Sequence, residues 1–97
     1  MTSTQEILHA LASVKSELLT SFKVREIGVF GSVIRGDQKE SSDVDVLVGL
    51  DNDADLLDLV ALSQFLEEHL HRKVDVVPRN ALRPELREQV LREVRYI

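Results

Sequence analysis

The chain is predicted to fold as an α/β domain, a small three- to four-stranded mixed sheet with helices packed on one face. Two observations carry that prediction. Three short runs rich in β-branched and aromatic residues, "VREIGVFG", "DVDVLVGL" and "KVDVV", each end at a glycine, a polar turn or a proline. Segments with apolar residues at helical spacing precede, separate and follow them. The first helix is placed over residues 4–21. It opens with Ser3-x-x-Glu6, a capping-box pattern, and continues through Ile7, Leu8, Leu11, Val14, Leu18 and Leu19. The first strand closes at Gly31, and a helical turn is expected after Ser32. The second strand is closed by "DND". A strongly apolar helix runs from Asp53 to about His71 with Asn52 or Asp53 as its cap. The third strand stops at Pro78. Pro84 suits the first turn of a last helix that runs to about Tyr96 and turns Leu86, Val90, Leu91 and Val94 inward. The predicted order is α-β-α-β-α-β-α, and a sheet so small leaves its other face partly open.

Ninety-seven residues with 43% apolar content suit one compact domain, residues 1–97, with a core of its own. Twelve Lys and Arg stand against 17 Asp and Glu, and only 4% of residues are aromatic. That balance disfavours direct binding to nucleic acid, which needs clustered cations and stacking surfaces. Cysteine is absent, which excludes disulfides and thiolate metal sites and fits a reducing cytoplasm. "MTSTQEILHA" lacks the basic start and apolar run of a signal peptide, and no apolar run approaches the length of a membrane span. A cytoplasmic protein without a membrane partner is expected. The charge is uneven. Between Asp37 and Asp58 lie Asp37, Glu40, Asp43, Asp45, Asp51, Asp53, Asp55 and Asp58 against Lys39, whereas the segment after Pro78 carries Arg79, Arg83, Arg87, Arg92 and Arg95. Most of those arginines read as a solvated helix face.

Within the acidic stretch, side-chain alternation puts Asp43 and Asp45 on one face of the second strand and Val44, Val46 and Val48 on the other. On the third strand Asp75 likewise opposes Val74 and Val76. If the valines share the helix-packed side, the three carboxylates share the open one. Clustered carboxylates raise one another's proton affinity unless a cation compensates, and hard divalent cations prefer oxygen ligands, so the trio suggests a magnesium site. Gly31-Ser32 lies at the end of the first strand. A glycine there lets a phosphate approach the backbone, a serine hydroxyl and N–H groups can donate to it, and Arg35 lies about one turn on for a charge-assisted bond. Two magnesium ions beside a phosphate cradle are the equipment for attack on a nucleoside triphosphate. Each piece alone has an ordinary explanation: a solvated strand end, a turn, a surface arginine. Their order along one short chain is what is specific.

That order, "GSVIRGDQKESSDVDVLV" followed by "KVDVV", resembles the G-S-x10-D-x-D signature and third carboxylate of the polymerase β-like nucleotidyltransferase superfamily. The short length, the "GSVIRG" turn and the ending "LREQVLREVRYI" are similar to the minimal nucleotidyltransferases, the MNT antitoxins encoded beside HEPN ribonuclease toxins. The resemblance implies a nucleotidyltransferase fold and ATP-dependent transfer of AMP, with release of pyrophosphate, to a hydroxyl of a cognate HEPN toxin. In the family that hydroxyl belongs to a tyrosine, and a hetero-oligomer of toxin and antitoxin follows. By the same resemblance Asp43 and Asp45 bind both Mg²⁺ ions and Asp75 binds the catalytic one while helping to deprotonate the acceptor. Gly31 and Ser32 hold the β- and γ-phosphates. Larger relatives add a domain that grips the acceptor. The segments assigned here use nearly the whole chain, which favours an acceptor that brings its own surface.

Two other readings compete: an antitoxin that acts by binding and occlusion, with vestigial acids, and a subunit that modifies a small aminoglycoside-like hydroxyl. The histidines add little. His69 and His71 are two residues apart near a helix end and do not share a helical face, so a metal pair is not expected, and His9 reads as a surface residue. Tyr96, the one tyrosine, reads as a packing or partner-contact residue.

Overall fold

A computed structural model describes residues 3–37 and 42–97. Lys39 and Glu40 of the acidic stretch, and most of the end of the ten-residue spacer, lie outside the described residues. The elements in order are α1 (Thr4–Ser13), α2 (Lys15–Ser21), β1 (Val24–Phe30), α3 (Ser32–Arg35), β2 (Val44–Leu50), α4 (Leu56–Leu70), β3 (Val74–Pro78), a 3₁₀ turn (Arg79–Ala81), α5 (Pro84–Glu93) and β4 (Arg95–Tyr96). The strands form one mixed sheet in the order β3-β2-β1-β4, with β1 antiparallel to β2 and β4, and β2 parallel to β3. The expected fold class is borne out, and the fourth strand is now located.

Alternation divides the sheet into two faces. Val29 pairs with Val46 and Val46 with Val76, so the apolar row crosses three strands. Ile27, Val44, Val48 and Val74 belong to the same buried cluster, covered by Ile7 and Leu11 of α1, Leu18 of α2, and Leu62, Leu66 and Leu70 of α4. The opposite face carries Leu47 with Phe30 and Val77, and there Leu82, Val90, Leu91 and Val94 close a smaller cluster. The last helix therefore packs on the face that the sequence reading had left partly open, because Leu47 is an apolar residue on the acid side of β2 and needs a cover.

Three boundaries and the orientation of one side chain differ from the sequence reading. The first helix breaks at Val14. The Ala10 carbonyl accepts from Ser13 Oγ at 2.6 Å and faces His69 Nε2 at 2.9 Å, and the Val14 N–H turns to Leu11 instead. The cap of α4 is Asp55, not Asn52 or Asp53. Asp55 and Asp58 form a reciprocal capping box, while Asp51 to Ala54 make a turn closed by the Ala54 N–H on the Asp51 carbonyl at 3.0 Å. Leu86 is exposed rather than inward-facing. The last helix ends at Glu93, and Arg95 and Tyr96 pair with Val29 and Gly28 of β1. Gly28 permits that crossing: a Cβ there would lie 2.7 Å from Val94 Cγ2 and 3.0 Å from the Arg95 carbonyl oxygen.

Candidate active site

The acidic stretch separates into two groups with different work. Asp51 pairs with Arg25 at 2.8 Å, and Asp53 and Asp58 flank Lys23 at 3.7 and 3.3 Å. The Asp55 backbone N–H, aided by Lys23, holds the Asp58 carboxyl below its ordinary range. Those pairs tie the start of α4 and the end of β2 to Lys23 and Arg25 at the start of β1. Asp43 and Asp45 stand at the other end of β2, away from these cations.

There the strand register does what side-chain alternation predicts. Asp45 is directly opposite Asp75 on parallel β3 and opposite Phe30 on antiparallel β1. Residues paired across a ladder project to one face, so the two carboxylates are neighbours on the side opposite the valines. Asp43 precedes β2 by one residue. Its approach is set by the Val44 N–H donating to the Lys73 carbonyl at 2.9 Å and by Arg72 Nη2 donating to the Ser42 carbonyl at 2.6 Å. Partial burial first, then the charges of Asp75 and Asp43, push the Asp45 carboxyl above its ordinary value; Arg35 opposes this weakly and Glu93 adds to it. Asp45 thus feels the charge of both other acids.

Gly31 completes this corner. Its φ of +80° is a left-handed conformation suited to glycine, and a Cβ there would overlap the Asp45 carboxylate. Glycine is required both by backbone geometry and by the acid it faces. Beyond it, Ser32 to Arg35 make a single helical turn, closed by Gly36 at φ +81° as its N–H donates to the Ser32 carbonyl at 3.0 Å. Gly31, Ser32, Asp43, Asp45 and Asp75 therefore surround one end of the β1-β2-β3 ladder. Arg35 is adjacent, but its guanidinium is shared between Asp37 at 3.6 Å and Glu93 at 3.3 Å.

As oxygen donors, Asp43, Asp45 and Asp75 suit a hard divalent cation in their chemistry. Among the described residues, however, no three His, Cys, Asp or Glu side chains are gathered into a formed metal cage. The backbone register places Asp45 and Asp75 side by side across β2 and β3. A cleft of about 670 Å³ lies elsewhere, at the far end of β2 and β3, lined by residues including Leu50, Asp51, Leu56, Arg79 and Arg87. That cleft is separate from the paired acids, which stand at the opposite end of β2.

Sequence reasoning missed Glu93. Its carboxylate, mostly buried, reaches from the last turn of α5 to accept the Gly31 N–H at 2.9 Å and Arg35 Nη1 at 3.3 Å. A glutamate in a charged helix gives no sign of this, because the contact depends on the chain end crossing over Gly28.

This fold and this corner of acids define a nucleotidyltransferase, and the chain belongs to the nucleotidyltransferase domain family, which it matches over residues 11–97. It is 44% identical to the protein adenylyltransferase MntA of Thermococcus cleftensis over 97 residues, covering 100% of this chain and 98% of that one. A solved structure provisionally described as a minimal nucleotidyltransferase superposes with a TM-score of 0.83 at 38% identity, covering 96% of this chain and 94% of its own. A toxin–antitoxin crystal structure with AMP-PNP gives a TM-score of 0.73 at 25% identity over 91% of this chain and 69% of its own. The similarity to minimal nucleotidyltransferases expected from the sequence is borne out. No helix among the described residues is long and apolar enough to cross a membrane.

Proposed function

We propose that this protein is an antitoxin that transfers AMP from ATP to a hydroxyl, of a tyrosine by the family resemblance, on a cognate HEPN ribonuclease toxin and so neutralises it. The observation that carries the reading is the direct register of Asp45 with Asp75 beside Gly31. It sets two acids from different strands against the turn that would receive a triphosphate. Identity to a protein adenylyltransferase across the whole chain supports a protein as acceptor, and likeness to a toxin–antitoxin structure with AMP-PNP supports both the partner and the nucleotide.

In the proposed reaction Asp43, Asp45 and Asp75 hold two Mg²⁺ ions, which would polarise the α-phosphate and make the acceptor hydroxyl more acidic. Gly31 and Ser32 orient the β- and γ-phosphates, and Arg35 adds positive charge. Asp75 takes the hydroxyl proton as the acceptor oxygen bonds to the α-phosphorus. The bond from that phosphorus to the β-phosphate's bridging oxygen breaks, and pyrophosphate leaves with the electron pair. Asp45 is suited to cation binding because its ionised form is disfavoured in the bare site, so a cation relieves strain already present. The protein would act in the cytoplasm as a minimal domain in a hetero-oligomer, with the toxin supplying the acceptor surface.

The test is the double substitution Asp43→Ala with Asp45→Ala. The variant is expected to keep binding the toxin while losing the ability to protect cells expressing it. Unchanged protection would favour occlusion and remove transfer from the account.

A further inference from the structure

We propose that Glu93 is a resident anion in the nucleotide site, occupying the Gly31 N–H and Arg35 contacts that the triphosphate would use, so that ATP binds only by displacing it. The proposal rests on the nucleotidyl-transfer reading above. Glu93 Oε1 lies 2.9 Å from the Gly31 nitrogen and 3.3 Å from Arg35 Nη1, so one oxygen serves both donors. Its side chain is only 17% exposed, so the contact is not a passing surface encounter.

The placement is otherwise unfavourable. Glu93 adds a negative charge to a corner that already holds Asp43, Asp45 and Asp75, and it acts against ionised Asp45. A backbone N–H beside a left-handed glycine and a guanidinium together call for an anion, and charge-assisted bonds to a carboxylate satisfy them. A phosphate oxygen satisfies the same donors with the same chemistry. Both cannot occupy the position, and Asp45 repels the two alike.

Displacement need not unfold the chain end. The Glu93 backbone is flanked by the Val94 N–H on the Val90 carbonyl at 2.9 Å, and β4 is tied to β1 by its pairing and by the Ile97 N–H on the Ile27 carbonyl at 3.1 Å. Only the side chain has to leave. The consequence is a set-point on affinity: the empty site is electrostatically closed, and the nucleotide meets a competitor at effectively constant local concentration. Glu93 thus sets the affinity of the site and is not a member of the reacting set.

The experiment is a calorimetric titration of the wild-type chain, Glu93→Gln and Glu93→Ala with a non-hydrolysable ATP analogue in Mg²⁺, and with inorganic tripolyphosphate in parallel. Both variants are expected to bind the analogue about tenfold or more tightly than wild type, equivalent to about 1.4 kcal/mol. Tripolyphosphate should follow the same order, because the effect belongs to the phosphates. Thermal melts check that both variants fold, and Glu93→Gln keeps the side chain's shape should Glu93→Ala loosen α5. Equal or weaker binding by folded variants would overturn the proposal while leaving nucleotidyl transfer standing. No binding by any of the three proteins would remove the nucleotide reading itself, and this inference with it.

Discussion

Asp45 should be a residue whose charge works against the fold. Consider Asp45→Asn, which preserves shape and removes the charge. Strand axes lie about 4.8 Å apart, which puts the carboxylates of a directly paired Asp45 and Asp75 at roughly 6 Å. At that distance, with effective dielectric values of about 40 to 80 for a half-exposed site, the repulsion is roughly 0.7–1.4 kcal/mol. The amide also avoids the desolvation of a charge, the largest contributor to the raised Asp45 carboxyl. A gain of about 1 kcal/mol corresponds to roughly 4–8 °C in a domain of this size. The pH dependence has a definite sign. Because the folded carboxyl titrates above its ordinary value of 3.8, the folded chain binds the extra proton just above that pH. Wild-type stability from this group therefore declines as pH rises through the window from 3.8 to the raised value. The melting-temperature gap between Asp45→Asn and wild type should be widest at neutral pH and close below pH 3.8. The assay is a series of thermal melts across that range. A variant less stable than wild type at neutral pH, or a gap that persists in acid, would refute the reasoning.

Other perturbations test other parts. Gly31→Ala adds a Cβ onto the Asp45 carboxylate at a positive φ, and the backbone alone contributes about 1–3 kcal/mol of destabilisation. Transfer activity should be lost and the melting temperature should fall. Magnesium should raise the melting temperature of wild type at neutral pH by mass action and raise that of Asp45→Asn much less, which scanning calorimetry would reveal. His71 caps α4 in the left-handed region at φ 55°. His71→Gly should stabilise the chain by about 0.5 kcal/mol or slightly more, read by denaturant melts, because glycine adopts that conformation without a Cβ penalty.

The parts readable from sequence were those set by period and parity. Alternation of valine with aspartate fixed which residues share a face, and register then placed Asp45 against Asp75 as that alternation requires. The acids that cap and pin α4 were not distinguishable from the site acids by type. Asp51, Asp55 and Asp58 differ from Asp43 only in having Arg25, Lys23 or a helix start nearby. The fourth strand was hidden because "LREVRYI" continues the helical spacing of α5, and only pairing with β1 makes Arg95 and Tyr96 extended. Gly28 carried a signal in retrospect. A glycine inside a β-branched run marks close backbone approach, here by Val94 and Arg95. The break at Val14 and the position of Glu93 depend on His69 and Gly31, partners too distant in sequence for local patterns to report.

The most direct test of the central claim is mass spectrometry of both chains after the purified protein is incubated with a candidate HEPN toxin, ATP and Mg²⁺. The account predicts AMP added to a hydroxyl of the toxin, and none when Asp75→Asn replaces the wild-type protein. An unmodified toxin with folded, metal-loaded wild-type protein, or equal modification by Asp75→Asn, would contradict it.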